Sequence, residues 1–170
     1  MKNKIFLDCG QYDGTAIKQY VVDNSWEIYS FEPTPKKLKG LPKFKLFKKA
    51  VWTRNGRMQF EIDPRDGQGS HLVNTTSEPT EKTTTVSTID FSEFVSKLPE
   101  GFIICSMDIE GSEFPVLRKM ISDGTIRRIA VLDLELHHRF MADEDTESAR
   151  KLVQELWGNG VVVRLKIVLE

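Results

Sequence analysis

Acidic residues and histidines follow two apolar runs of the sequence and could act as acid–base groups. Asp108 and Glu110 come directly after "FIICSM", and His137 comes directly after "VLDLEL". Carboxylates and imidazole rings can take a proton from a hydroxyl that lies within hydrogen-bond reach. We therefore predict Asp108, Glu110 and His137 as catalytic residues, and Asp108 is the first choice for contact with a cofactor or an acceptor.

Each of these residues also has an alternative interpretation. Asp108 could cap the helix that follows it, because aspartate is a favoured helix cap. Glu110 could be a solvated turn residue, and the alternation along "LELHHR" would turn one of His137 and His138 outward. Asp108, Glu135 and His137 could also bind a metal. No spacing such as His-Glu-x-x-His supports that interpretation, so we predict no metal.

A second candidate site is the glycine turn in "IFLDCGQYDGT", between an apolar run and a helix-compatible segment. Free backbone N–H groups at the start of such a helix favour an anion or a polar ligand edge. A dinucleotide site needs a second glycine two residues after Gly10, but Gln11 and Tyr12 occupy that space. Glu32 lies 22 positions after Gly10, where a carboxylate accepts hydrogen bonds from ribose hydroxyls. A nucleoside without a pyrophosphate fits both features, and S-adenosylmethionine is such a molecule.

The elements that would position these residues follow an alternating α/β pattern. Short runs rich in Ile, Val and Phe, typical of strands buried on both faces, alternate with segments of helical spacing. The predicted strands are 5–9, 27–31, 44–51, 102–107, 129–134 and 161–169, and the predicted helices are 15–23, 36–39, 91–98, 113–122 and 145–157. Right-handed crossovers then predict a doubly wound, mostly parallel sheet in the order 3-2-1-4-5-6, with its ligand site at the carboxyl ends of the strands.

The segment 63–87 interrupts this alternation, because it is poor in apolar residues and rich in Gly, Pro, Ser and Thr. Loops of this length in a domain are usually functional lids or disordered. We predict a loop or lid at about 63–88, after a short extra strand at 58–62. The glycines of "GQGSHL" would let the loop fold back, so we expect Ser70 and His71 to reach the site.

Length and composition are those of an ordinary globular protein. The 170 residues, 39% hydrophobic and 29% charged, fit one domain over 1–170. The net charge of −1 offers no global attraction to nucleic acid or membranes, and no apolar run approaches the roughly 18 residues of a membrane span. Cys9 and Cys105 both lie in apolar runs, which is typical of buried thiols in a reducing compartment. We therefore expect a cytoplasmic protein with neither a nucleic-acid nor a membrane partner.

Four blocks of the sequence, "FLDCGQYDGT", "SFEPTP", "STIDFSEF" and "MDIEGSEFPVLRKM", resemble the FkbM-like methyltransferases, which are Rossmann-type S-adenosylmethionine-dependent enzymes. The resemblance covers roughly residues 4 to 138. It implies that Asp8 and Gly10 line the methionine end of the cofactor, that residues 108–113 border the transfer site, and that the acceptor is a hydroxyl on a sugar or other small polar molecule. The predicted cofactor-binding residues are thus Asp8, Gly10, Gln11, Gly14, Glu32 and Asp108.

Some alternatives remain open. Asp8 could bond nearby backbone N–H groups without any ligand. The chain could be a non-catalytic Rossmann-like nucleoside-binding module or, less favoured because the second glycine is missing, a nucleotide-dependent oxidoreductase. The segment "VVVRLKIVLE" has no turn residues for a hairpin, so we expect a parallel last strand without the antiparallel strand that usually follows. The unpaired edge of that strand predicts a homodimer.

Overall fold

The computed structural model of the protein describes residues 3–21, 23–36, 38–64, 67, 69–73, 82–137 and 146–166. The strands are β1 (Asn3–Cys9), β2 (Trp26–Phe31), β3 (Lys45–Phe47), β4 (Ala50–Trp52), β5 (Gly56–Glu61), β6 (His71–Leu72), β7 (Thr83–Asp90), β8 (Gly101–Met107), β9 (Ile129–Glu135) and β10 (Val162–Lys166). The helices are α1 (Thr15–Tyr20), α2 (Phe91–Ser96), α3 (Glu113–Ser122) and α4 (Thr146–Gly158), with a 3₁₀ turn at Thr125–Arg128.

The main sheet has six parallel strands in the order β3-β2-β1-β8-β9-β10. The predicted α/β class and the predicted strand order are both confirmed. In the described residues the last strand, β10, runs parallel to β9, as predicted. Because all these strands point the same way, the residues that follow β1, β2, β8 and β9 meet at one edge of the sheet.

Apolar layers cover both faces of the main sheet. In β1, Phe6 packs into a small cluster with Ile17 of α1. Its neighbour Leu7 packs into the larger cluster, which includes Phe114 of α3 and Leu156 of α4. Successive side chains of a strand point to opposite faces, so a strand with helices on both sides must be apolar at every position. This is why the buried runs of the sequence are continuous.

A second sheet of four short strands has the order β4-β7-β5-β6. The predicted single strand at 44–51 is wrong, because its first half forms β3 in the main sheet and its second half forms β4 in the second sheet. The predicted extra strand at 58–62 is confirmed by β5. The predicted continuous loop at 63–87 is wrong, because β6 and most of β7 lie within it.

The position of β7 in the second sheet explains why a Thr-rich segment forms a strand. It lies between β4, to which it is parallel, and β5, to which it is antiparallel. Val86, Thr88 and Ile89 of β7 are buried. Threonine is branched at Cβ and packs well on a pleated surface once partner strands are present. The polar composition of β7 is therefore also typical of a loop, and this led to the wrong prediction.

The helices lie close to their predicted positions. The bounds of α3 are as predicted, whereas α1 and α2 end earlier than predicted. The predicted helix at 36–39 is wrong, since its described residues are not helical. Position 145 of the predicted last helix and positions 167–169 of the predicted last strand lie outside the described residues. In the part of the chain that is described, no helix is long and apolar enough to cross a membrane.

Candidate functional site

A pocket opens where β1, β2 and β8 end. Its empty volume is about 590 Å³, counted with space that is open to solvent. Among the predicted site residues, Gly10, Glu32, Asp108 and Glu110 line it. Residues in and beside the second sheet also line the pocket: Ala50, Val51, Phe60, Ser70 and Leu72. The second sheet therefore contributes a wall that was not predicted.

Gly10 is required by the packing of the turn. Its φ is +88°, and a Cβ at this position would lie 1.9 Å from the carbonyl oxygen of Asp108. Its N–H donates to the carbonyl of Phe31, and the N–H of Asp108 donates to the carbonyl of Cys9, each at 3.0 Å. Gly10 thus joins the ends of three strands where only a glycine fits. This requirement comes from the protein backbone and exists without a ligand.

The other predicted residues of the turn lie away from the pocket surface. Gly14 precedes α1 with φ +74°, and a Cβ there would approach Leu41 to 2.7 Å. Gln11 is buried, and its Nε2 has no hydrogen-bond partner among the described residues. Neither is among the described lining residues, whereas Tyr12, with φ +37°, is one of them. Contact of Gln11 and Gly14 with a cofactor stays a prediction.

Asp8 is buried at the end of β1 and does not line the described pocket surface. The Ser30 hydroxyl donates a 3.0 Å hydrogen bond to Asp8 Oδ2. Burial raises the pKa of Asp8 to about 7, although the Ser30 bond acts in the opposite direction. The observed partner of Asp8 is therefore a side chain on the neighbouring strand, and the carboxyl group titrates near neutral pH.

Glu32 comes directly after β2 and lines the pocket. Its Oε1 accepts hydrogen bonds from the backbone N–H of Thr34 at 2.8 Å and from the Thr34 hydroxyl at 3.0 Å. These two bonds fix the orientation of the carboxylate. A pair of neighbouring hydroxyls in the pocket would find an oriented acceptor in Oε2.

Glu113, in the first turn of α3, holds the loop after β8 in place. It is fully buried. Its Oε1 accepts from the N–H of Ile109 at 2.9 Å, and its Oε2 accepts from the N–H of Gly111 at 2.8 Å. Glu110 between them has φ +52°, a left-handed conformation that is uncommon outside glycine. The two bonds to Glu113 stabilise this conformation and so determine where the Glu110 carboxylate lies.

His137 lies in the centre of a group of carboxylates. Its Nδ1 donates to Glu113 Oε1 at 3.1 Å. Its Nε2 lies 3.3 Å from Glu135 Oε1, 3.6 Å from Glu110 Oε2 and 3.9 Å from Asp108 Oδ1. Burial lowers the pKa of His137, but the hydrogen bond and charge of Glu113 and the charges of Glu110 and Asp108 outweigh it and raise the pKa to about 9.

The predicted catalytic residues Asp108, Glu110 and His137 are thus brought together, whereas His138 lies outside the described residues. The side chain of Asp108 is 36% exposed, and that of Glu110 is only 11% exposed. Burial and the charge of Glu135 raise the pKa of Asp108 to about 6. The cap interpretation of Asp108 and the solvated-turn interpretation of Glu110 are wrong. Ser112 rather than Asp108 occupies the N-cap position of α3, and the Glu110 side chain is largely buried.

Ser70 and His71 differ in their relation to the pocket. Ser70 lines it, and its Oγ accepts a 3.0 Å hydrogen bond from the N–H of Asp63. His71 lies in β6 with its Nδ1 3.1 Å from the carbonyl oxygen of Gly69, and it is not among the described lining residues. Ser70 therefore lies at the pocket, and contact of His71 with the site stays a prediction.

Glu113 was predicted only as part of the segment 108–113 that borders the transfer site, and its own role was not predicted. An acidic residue in the first turn of a helix is favourable for the helix dipole alone, so its position does not by itself indicate a further role. The available signal was its spacing in "DIEGSE", two residues after a glycine and four after Ile109. A buried acid at that distance can accept hydrogen bonds from the backbone of the loop that precedes the helix.

Comparisons with known proteins identify the family. No match was found among curated proteins or among solved structures. The family model of the methyltransferase FkbM domain matches residues 8–162. This match contains the glycine turn, the carboxylates after β8 and the histidine after β9. The chain therefore belongs to the FkbM methyltransferase domain family.

Proposed function

We propose that this protein is an S-adenosylmethionine-dependent methyltransferase that methylates a hydroxyl group of a sugar or another small polar acceptor. The observation that carries the proposal is the meeting of Gly10, Glu32 and Asp108 in one pocket at the carboxyl ends of the strands. Family membership supports methyl transfer. The cofactor is inferred from the pocket, and the acceptor class is inferred from the resemblance to the family.

The residues of the pocket suit a nucleoside better than a dinucleotide. Among the described residues, the side-chain hydrogen bonds of Glu32 are those from Thr34 to Oε1, which leaves Oε2 for ribose hydroxyls. Tyr12 occupies the position at which a dinucleotide site has its second glycine, and this residue lines the pocket. A tyrosine there obstructs the close approach of a pyrophosphate to the backbone. Apolar residues such as Val51 and Leu72 also line the pocket and offer contacts to a flat base.

S-adenosylmethionine supplies a methyl group that its sulfonium has already activated. The residues of this chain then need to bind the two reactants, orient them and accept a proton. Holding the reactants in line supplies most of the acceleration. Asp108 is the carboxylate best placed to accept the hydroxyl proton, because it lines the pocket and remains partly exposed. Glu113 and His137 fix the loop on which Asp108 and Glu110 lie.

Titration calorimetry with S-adenosylhomocysteine tests the cofactor assignment. Glu32→Ala should weaken binding by at least about 1.5 kcal/mol, or roughly tenfold, because hydrogen bonds to a charged group are lost. Glu100→Ala is the matched control, since its side chain is 97% exposed outside the pocket. Circular dichroism should show both variants folded.

Two results would contradict the assignment. An unchanged affinity of Glu32→Ala for S-adenosylhomocysteine would remove the ribose contact on which it depends. Binding of NADH in place of S-adenosylhomocysteine would favour an oxidoreductase. Tight binding of S-adenosylmethionine without transfer to any sugar hydroxyl in a panel would instead support a non-catalytic nucleoside-binding module.

A further inference from the structure

We propose that Asp108, Glu110 and His137 form a binding site for a divalent metal ion. One ligand atom from each residue lies within 4.8 Å of the other two. Two ligands bonded to one ion at about 2.1 Å lie roughly 3 Å apart in adjacent positions and roughly 4 Å apart in opposite ones. The separations of 3.6 Å and 3.9 Å between His137 Nε2 and the two carboxylates fall in this range. A single ion can therefore bind all three groups after small side-chain movements.

The orientation of His137 is a second observation that points to a metal. The Nδ1 of the ring donates to Glu113, which is not a ligand in this proposal, and the Nε2 consequently faces Asp108 and Glu110. Histidines that bind metals commonly donate their other ring nitrogen to a carboxylate, which sets the tautomer and the ring angle. Glu113 is itself fixed by two backbone N–H groups, so this support is rigid.

The position of the cluster leaves room for further ligands. Asp108 and Glu110 both line the pocket, whereas His137 is buried and is not among the described lining residues. Glu135 Oε1 lies 3.3 Å from His137 Nε2 and is close enough to add a fourth protein ligand. An ion held here would have its remaining coordination positions on the pocket side, where water or an acceptor could bind. Catalytic metal sites, unlike structural ones, keep such an open position.

The ligand types indicate which divalent ions the site could bind. Two carboxylates suit Mg²⁺ or Mn²⁺, and one imidazole suits Mn²⁺, Fe²⁺ or Zn²⁺. Mn²⁺ accepts both kinds of ligand and is therefore the probe of choice. A metal at Asp108, Glu135 and His137 was set aside above for want of a ligand spacing, because these ligands follow two strands, β8 and β9, that are far apart along the chain.

The ion would also take part in the proposed methyl transfer. A hydroxyl bound to a divalent ion loses its proton more readily, so the ion would assist the deprotonation assigned above to Asp108. This role rests on the proposed function. Metal binding itself does not, because it requires neither the cofactor nor turnover.

Titration of the chelator-treated full chain with MnCl₂, followed by the electron paramagnetic resonance signal of free Mn²⁺, tests the site. We expect one bound ion per chain. Asp108→Asn and His137→Gln should each weaken binding by roughly tenfold or more, as the loss of a ligand or of its support does elsewhere. Asp23→Asn is the matched control and should bind as the wild type does, because Asp23 pairs with Lys4 away from the pocket.

Two results would contradict the metal site. The first is no Mn²⁺ binding up to about 1 mM, which is a weak limit for a specific protein site. The second is an equal affinity for Mn²⁺ in the wild type and in Asp108→Asn. Asp108 is partly exposed, so its variant should fold even where His137→Gln does not. Calorimetry with S-adenosylhomocysteine on the same samples separates the two proposals. Mn²⁺ binding without nucleoside binding would support the metal site and contradict the proposed cofactor. Nucleoside binding without Mn²⁺ binding would support the cofactor and contradict the metal site.

Discussion

At the scale of single residues, a comparison of Gly10 with Gly40 distinguishes the strain of a left-handed backbone from the steric clash of an added Cβ. Both have positive φ, +88° and +74°. A Cβ on Gly10 would meet the Asp108 carbonyl oxygen at 1.9 Å, whereas a Cβ on Gly40 would meet nothing within 4 Å. Backbone atoms cannot rotate away as a flexible side chain can. Gly10 therefore carries both a conformational and a steric requirement, and Gly40 carries only the first.

We expect Gly10→Ala to lower the free energy of unfolding by roughly 3 kcal/mol or more, and Gly40→Ala by only about 1 kcal/mol, the usual strain of a non-glycine residue at positive φ. Urea denaturation followed by circular dichroism measures both values. Equal losses in the two variants would mean that the contact between Gly10 and Asp108 has no energetic weight.

Asp8 links the burial of one residue to the pH dependence of stability. Its pKa is raised from 3.8 to about 7, so the folded state keeps a proton that the unfolded state loses. The unfolding free energy should therefore fall as the pH rises from about 4 to about 7. The full effect of this one group is on the order of 4 kcal/mol.

Asp8→Asn removes this dependence and isolates it from other groups. We expect the stability of the variant relative to the wild type to increase as the pH rises from 4 to 8 and to change little above that. The raised pKa of Asp108 acts in both proteins, so most of its effect cancels in the difference; what remains is its repulsion of Asp8, which the variant removes. Thermal unfolding at a series of pH values is the measurement, and a difference that stays constant with pH would show that Asp8 is not held protonated.

At the scale of elements, the second sheet and the short segment before β6 shape one side of the pocket. Ser70 and Leu72 line it, and β6 pairs only with β5 in the described residues. A two-residue strand with one partner opens at little cost. The neighbouring strand β7 is held between two partners, so the two parts of the same sheet should differ in local stability.

We expect hydrogen exchange in 69–73 to slow by at least about tenfold when S-adenosylhomocysteine binds, because a ligand against Ser70 and Leu72 would oppose local opening. Exchange in β7, which does not line the described pocket, should change little and serves as the internal control. The predicted lid would then be this short segment. Equal exchange in 69–73 with and without ligand would make it a static wall.

At the scale of the whole molecule, β10 is the outer strand of the main sheet. It pairs with β9 on one side, and the described residues supply no strand on the other. Trp157, Val162 and Leu165 are exposed there or in the adjoining helix. Exposed strand edges with apolar side chains are prone to pair with another chain. The homodimer expected from the sequence therefore remains a prediction, with β10 and α4 as its proposed surface.

Light scattering at micromolar concentration should give twice the chain mass of 19.5 kDa. Leu165→Lys should shift the protein toward monomer, because a charge at the centre of an apolar interface must lose its hydration. Ile62→Lys is the matched control, since Ile62 is similarly exposed but follows β5 in the second sheet. A monomeric wild type would exclude this interface.

The sequence by itself determined the main sheet and three of the residues that meet at its carboxyl edge. Buried strands are recognisable as continuous apolar runs, and the preference for right-handed crossovers then gives their order in the sheet. The meeting of Gly10, Glu32 and Asp108 at one edge followed from these two rules. Only the tertiary structure decided the rest. The strand β7 depends on partners distant in sequence, and the hydrogen bond between Glu113 and His137 joins α3 to the end of β9. Such contacts have no local pattern, because their free energy arises only when both partners are buried together.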